Sequence, residues 1–498
     1  MAGVASAAVA LGVGELLAAL VAPQAAPLVA VGGVVVDQVP ESGKELAIRL
    51  FGTNDKLALQ VGTVVLLAGF AALIGALAVD RLWVGYAGIA LFGVVGVASA
   101  VTRPGATALW ALPSALGAGA AAATLWYLLR RMPDPAPESS AEPGTPRRRF
   151  LGAAAAAVGA AALVGVGGRF LGQRSSVDAA RDAVALPTPS GRPATLPAGA
   201  DVAELSYITD NGSFYRIDTA LVVPRIDPDA WTLKIHGRVG RPMTLTFADL
   251  LRRPMIERYV TLACVSNLVG GDLIGNARWL GVPVGDLLDE VAPDPAADQV
   301  VSRSVDGFTA GTPTAVLRDG RDAMIAIAMN GVPLPIEHGF PARIVIPGLY
   351  GYVSATKWVE SLEFTKWDTR QAYWLSRGWA EQAPIKTQSR IDRPNARDTQ
   401  RAGQVVVAGV AWAQHRGISR VEVRVDDGPW EAATLAETVG PDTWRQWSFA
   451  WDTSAAGEGE HRLSVRATDA DGQVQTSDIA PPAPDGASGW HEIQVQVA

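Results

Sequence analysis

The spacing of apolar residues divides this chain in two. Up to residue 171 it runs in long, nearly charge-free stretches; beyond that point short apolar runs alternate with polar turns. The runs 57–79, 82–102, 107–129 and 150–171 are each about 20 residues long, enough for a helix to cross roughly 30 Å of hydrocarbon. Residues 4–36 are equally apolar, but Pro23 and Pro27 divide them. They read as one crossing with a broken or re-entrant second half, or as two crossings, with 28–36 short for a span. Gly and Ala dominate all these stretches, which favours close helix packing over bulk facing lipid.

Charge gives the expected orientation. Arg130, Arg131, Arg147, Arg148 and Arg149 flank the linker between the last two runs and place it in the cytoplasm. Everything after residue 172 then lies outside the cell membrane. Counting back puts the loop 38–56 outside and the N-terminus inside, with about five crossings. The domain boundaries expected are 1–131 for the first spans, 132–149 for a Pro-rich cytoplasmic linker, and 150–171 for the last span. Pro146-Arg147-Arg148-Arg149-Phe150-Leu151-Gly152, at the start of that span, is either a positive-inside cluster or an internal segment that resembles a twin-arginine export signal.

Residues 172–204 are rich in Ser, Pro, Ala and Gly and read as a flexible tether. From 205 to 375 short β-rich runs (Trp231–Ile235, Tyr259–Leu262, Arg343–Ile346) mix with helical ones (Phe247–Leu251, Val284–Leu288), an α+β pattern. From 376 to 498 the alternation in Val421-Glu422-Val423-Arg424-Val425 and in His461–Ala467, closed by Asp427-Gly428 and Asp471-Gly472, predicts a β-sandwich. The fold class is therefore multi-domain: an all-α transmembrane bundle, an α+β domain and a β-sandwich.

Composition narrows the chemistry. The chain has 42 Lys and Arg against 49 Asp and Glu, a net charge of −7, and no basic run interleaved with aromatics in its soluble part; a nucleic-acid partner is not expected. A single cysteine, Cys264, excludes an internal disulfide, a cysteine-ligated iron–sulfur cluster and a Cys-x-x-Cys-His haem attachment. None of the five histidines precedes His236, so the apolar region cannot hold a bis-histidine haem. Electrons would have to come from, or go to, a separate partner, a cytochrome or a quinol-linked membrane protein.

Cys264 ends the apolar run Val260-Thr261-Leu262-Ala263 and is followed by the polar Val265-Ser266-Asn267. Downstream stands His338-Gly339-Phe340-Pro341-Ala342-Arg343-Ile344-Val345-Ile346-Pro347-Gly348, then Lys357-Trp358. Together these segments resemble the molybdopterin domain of the sulfite oxidase family. The C-terminal segments Ala411-Trp412-Ala413, Asp426-Asp427-Gly428-Pro429-Trp430 and Trp444-Arg445-Gln446-Trp447 resemble the immunoglobulin-like dimerisation domain appended to it, and the likeness covers residues 205 to 495. The resemblance implies a molybdenum–molybdopterin cofactor with Cys264 as the metal's protein ligand, a soft thiolate suited to that metal. It also implies cofactor contacts from Tyr215 and Arg216, from Ser304, from His338 and Arg343, and from Ser354, Thr356 and Lys357. Asp272 is a candidate general acid or base, although an Asp closing a Gly-Gly turn commonly serves structure. A homodimer through the C-terminal domain is implied too, a monomer beside other components being the alternative.

Three departures bear on the substrate. Val265-Ser266-Asn267 follows the cysteine where the family has Ala-Gly-Asn and then arginines; Ile217-Asp218-Thr219 stands for Arg-Asn-His; Ile327 stands for a tyrosine. Holding a doubly charged anion without such groups costs several kcal/mol, on the order of the charge-assisted hydrogen bonds lost. The expectation is an extracytoplasmic, membrane-anchored enzyme of two-electron oxygen-atom transfer acting on a small molecule such as a sulfoxide. A sulfite dehydrogenase and a non-catalytic receptor or adhesion protein on the same fold are the alternatives.

Overall fold

The computed structural model describes the chain except for residues 40–42, 44–49, 51–54, 104, 133–144, 174–175 and 191–194. Most of the expected linker 132–149 and of the loop 38–56 thus lies outside the described residues. The chain forms two compact units, Met1–Asp178 with Ala220–Val223, and Ala179–Thr219 with Pro224–Ala498.

The first unit is helical. Its helices are α1 (Ala2–Val21), α2 (Pro27–Gln38), α3 (Asp55–Asp80), α4 (Leu82–Val101), α5 (Leu112–Leu129) and α6 (Thr145–Gln173). The prolines break the first apolar stretch as expected, with a single 3-10 turn at Pro23–Ala25 between α1 and α2. Four of the helices, within Ala2–Val21, Ala58–Asp80, Leu82–Val101 and Ala108–Leu129, are long and apolar enough to cross a membrane. At 12 residues, α2 is too short to do so alone. In α6 the apolar helical segment described is Phe150–Gly165. Helix α1 packs against its neighbours through glycine. A methyl group on Gly3 would sit 1.9 Å from the Ala71 carbonyl oxygen, and one on Gly12 2.5 Å from that of Ala161. Outward-facing positions instead carry large apolar groups, among them Leu66, Trp83, Leu91 and Val94, all exposed.

The second unit opens on the segment expected to be a tether, and there the structure differs. Residues Ser176–Asp182 form a short helix whose Arg181 donates to the carbonyls of Pro333 and Leu334, each at 2.7 Å. Beyond it the Ser190 amide donates to the Met255 carbonyl at 2.6 Å, and the Val202 amide to Gln446 Oε1 at 2.7 Å. Backbone groups without a helix or strand of their own find partners on both following domains. Apolar content alone could not reveal that.

The α+β domain has two sheets. One runs in the order β2 (Met243–Thr246), β1 (Thr232–Gly237), β10 (Val359–Thr365), β5 (Gln299–Ser304), β6 (Thr309–Pro313), with β1 and β10 parallel. The other runs β3 (Ile256–Ala263), β4 (Ile274–Pro283), β7 (Met324–Met329), β8 (Val332–Pro333), with β9 (Arg343–Val345) paired to β7. Every residue of β7 is buried, so its apolar run is continuous rather than alternating. The predicted helix at Phe247–Leu251 starts in a capping box between Thr246 and Asp249.

The C-terminal domain is a sandwich of a four-stranded sheet, β11 (Gln388–Arg393), β13 (Gln404–Trp412), β17 (Arg445–Asp452), β16 (Thr434–Leu435), and a five-stranded sheet, β12 (Thr399–Gln400), β19 (His491–Val497), β18 (Gly459–Asp469), β14 (Ile418–Val425), β15 (Glu431–Ala432). Val407 and Trp447 from one sheet meet Val421, Val423, Leu463, Val465 and Val495 from the other in one buried core. Leu463 has no exposed surface. Leu463→Ala should cost about 2–5 kcal/mol of unfolding free energy, through lost burial and the cavity left behind. Denaturant unfolding followed by tryptophan fluorescence measures it, and a cost under about 1 kcal/mol would contradict the assigned core.

Candidate active site

Strand β3 ends at Ala263, paired with Ile274 of β4, and the chain then leaves the sheet. Cys264 is held there by its amide, which donates to the Leu273 carbonyl at 2.9 Å. The C-terminal domain braces the same strand end. Its Asp442 carbonyl accepts the Thr261 amide at 3.0 Å, and Gln414 and the Trp444 amide bond the Thr261 carbonyl and hydroxyl at 3.1 and 2.7 Å. The loop after the cysteine is fixed in the same way. Arg390 donates to the Gly271 carbonyl at 2.7 Å, and His491 packs so closely on Gly270, whose φ is +74°, that a methyl group there would lie 2.2 Å from the ring.

Cys264 faces a cavity of about 120 Å³. Of the residues expected at the cofactor, Tyr215, Ser304, Arg343 and Lys357 line it together with Cys264. The cysteine is buried, and burial pushes its thiol up, opposed by hydrogen bonds from Ser266 and by the Lys357 charge. Such a thiol is protonated until a metal replaces its proton.

Arg343 is the most constrained charge. It is 4% exposed and lies 5.0 Å over the Trp279 ring. Its guanidinium donates to the carbonyls of His338 at 3.1 Å and Ala355 at 3.2 Å, and among the described residues it forms no ion pair. Burial drops it to about 10. Lys357 pairs with the buried Asp218 carboxylate at 3.1 Å, and burial brings it down to about 8. Gly339, φ +114°, lets these two cations approach: a methyl group there would meet Arg343 Cβ at 3.0 Å and Lys357 Cα at 3.2 Å.

Other expected residues stand behind the wall. His338 packs edge-on against Phe214, and its Nε2 donates to the Asn211 carbonyl at 2.9 Å while the buried Nδ1 has no partner. Burial, with the Arg343 charge next in weight, lowers it to about 4, so the imidazole is neutral at pH 7. Arg216 is half-exposed and pairs with Asp218 at 2.9 Å. Ser354 donates its hydroxyl to the Leu349 and Tyr350 carbonyls, and Thr356 shares a hydrogen bond with Ser302 at 2.7 Å. Asp272 is exposed and the structure does not bring it to the cavity.

The sequence reading missed part of the wall: Asp306, Phe308, Tyr352, Trp374 and Trp379 also line the cavity. Three aromatics within the polar segment Gln371–Glu381 were the available signal for the last two.

A sandwich-braced strand end that offers one thiol to a pocket with a buried, acid-free guanidinium is the arrangement of a metal-cofactor oxidoreductase. Residues 220–374 match the oxidoreductase molybdopterin binding domain, and residues 388–465 a bacterial Ig domain. The chain is 29% identical to human mitochondrial sulfite oxidase over 363 residues, 63% of this chain and 66% of that protein. It is 34% identical to the Bacillus subtilis oxidoreductase YuiH over 155 residues, 31% of this chain and 74% of that one. The sulfane dehydrogenase SoxCD of Paracoccus pantotrophus superposes with a TM-score of 0.51 at 25% identity, over 59% of this chain and 82% of that one. This protein belongs to the sulfite oxidase family of molybdopterin-dependent oxidoreductases. It spans just under two thirds of the length of the human enzyme. The residues fit the family's cofactor: a thiol for the metal and a buried cation lacking a carboxylate for an anion, both on the cavity wall.

Two buried histidines give a pH test. Burial lowers His338 and His491 to about 4 from the usual 6.5, so the unfolded chain binds their protons first as pH falls. Their contribution is full above 6.5 and is lost as pH falls toward 4. Urea midpoints should therefore drop between pH 7 and 4.5, and less steeply in His491→Gln. An equal slope in wild type and variant would contradict the burial assigned to His491.

Proposed function

We propose that this protein is a membrane-anchored, extracytoplasmic molybdenum enzyme that transfers an oxygen atom to or from a substrate other than sulfite, a sulfoxide or a compound of similar charge. When bound, the cofactor supplies two-electron redox chemistry and the exchange of an oxygen atom. Cys264 would ligate its metal. Arg343 would hold its anionic portion, with Tyr215, Ser304 and Lys357 around it, and His338 would act from behind by holding Arg343 through its carbonyl. Arg216, Ser354 and Thr356 would act from behind this shell, by holding Asp218, the Leu349–Tyr350 turn and Ser302 in place.

The observation that carries the substrate reading is the cavity's remaining lining. Where the family has Arg-Asn-His, Ile217, Asp218 and Thr219 line the cavity here, together with a second carboxylate, Asp306. Carboxylates raise the cost of bringing in a dianion, and Phe308, Trp374 and Trp379 offer apolar surface instead. Sulfite oxidation is the second reading, favoured by the similarity to curated sulfite oxidases. A non-catalytic receptor on this fold has no use for a buried guanidinium without a carboxylate, whose charge is costly to keep.

Supporting the outward location is the arginine cluster on either side of residues 132–146, which holds that segment inside by the positive-inside rule. One cysteine leaves no cysteine-ligated iron–sulfur cluster or Cys-x-x-Cys-His haem, which favours a separate electron partner, a cytochrome or a quinol-linked membrane protein.

Detergent-solubilised holoprotein, assayed with a viologen donor and a ferricyanide acceptor, should turn over sulfoxides at least about tenfold faster than sulfite, the factor one lost charge-assisted hydrogen bond is worth. Sulfite turnover at the higher rate would overturn the substrate reading. Cys264→Ser should abolish turnover while the sandwich stays folded, and an active variant would remove the ligand assignment.

A further inference from the structure

Two carboxylates line the cavity, and only one is matched by cations. Asp218 is paired with Lys357 and Arg216. Asp306 forms no ion pair among the described residues. Its Oδ1 accepts the Phe308 amide at 3.0 Å and its Oδ2 the Thr219 hydroxyl at 3.3 Å, both neutral donors. It belongs to the turn between β5 and β6, which Gly307 closes with φ +92°. That turn needs an acceptor at position 306 and would be served equally by the neutral oxygen of an asparagine. The charge is surplus to it.

What shares the cavity with the charge gives it a use. Phe308, Tyr352, Trp374 and Trp379 line the same cavity, with Trp379 ring centroids 5.7 Å from Tyr352 and 5.8 Å from Trp374. Aromatic faces carry negative potential, and grouped around a carboxylate they attract alkylated ammonium ions while disfavouring anions. The two cations on the lining are already engaged: Lys357 offsets Asp218, and Arg343 serves the anionic cofactor.

We propose that Asp306 and this aromatic wall form a cation-selecting subsite, so that the enzyme takes substrates whose oxygen-exchanging atom is tethered to an ammonium or quaternary ammonium group. The assignment of that cation to a substrate rests on the oxygen-transfer reading; the subsite itself does not.

The test is binding to wild-type holoprotein of choline and of 3,3-dimethylbutan-1-ol, its uncharged isostere, followed by tryptophan fluorescence. Choline should bind about tenfold tighter. Asp306→Asn, which keeps the turn's acceptor, should lose that preference and leave the isostere's affinity within about twofold, with bound molybdenum and circular dichroism unchanged. Equal binding of the two probes by wild type overturns the subsite whether or not the variant folds, and so does an undiminished preference in a folded variant. Choline selectivity in a protein that turns over no oxygen donor or acceptor keeps the subsite and removes the oxygen-transfer reading. Turnover of neutral sulfoxides without cation preference removes the subsite alone.

Discussion

A guanidinium taken out of water and given only carbonyl oxygens for company is the constraint on which the rest of the site depends. Arg343 keeps three backbone carbonyl partners and an aromatic face, and burial already lowers its proton affinity. An unpaired buried charge costs several kcal/mol, and a bound anion would offset that cost. Strand β9 holds the arginine in the sheet beside β7, so the side chain cannot relax to the surface. Cys264 lies on the same cavity, and on the proposed reading a soft thiol beside that cation is the place for a metal carried on an anionic organic group.

The sandwich does more than follow the site in sequence. Thr261, three residues before the cysteine, is bonded by the C-terminal domain through its amide, carbonyl and hydroxyl. The loop beyond the cysteine is clamped by Arg390 and His491. Precision at the thiol is thus borrowed from a sandwich whose strands, Gln388 to Val497, contribute no residue to the cavity lining. A merely tethered sandwich would leave the strand end free to fray, since the last residue of a strand lacks a neighbour on one side.

The legible parts of the fold were those set by local pattern. Span-length apolar runs, the breaks at Pro23 and Pro27, the capped helix at Thr246 and the alternating strands of the sandwich all follow from period and turn chemistry. The docking of Arg181, Ser190 and Val202 was not legible, because it depends on hydrogen bonds to oxygens distant in sequence. At the site, Cys264, Arg343 and Lys357 were marked by motif. Asp306 looked like an ordinary turn residue beside glycine, and Trp374 and Trp379 stood in a polar segment; only the folded chain shows that they share a wall. Conversely, Ser354 and Thr356 carry the right chemistry at the right spacing, yet their hydroxyls are engaged with Leu349, Tyr350 and Ser302.

The central claim, that this pocket exists to hold a thiolate-bound metal on an anionic cofactor, is tested most directly by metal analysis. Protein purified from a host that makes molybdopterin should contain molybdenum close to one atom per chain, and Arg343→Met should lose most of it while Cys264 remains present. Wild-type protein that leaves such a host folded, with its thiol free and its molybdenum at background, would contradict the account.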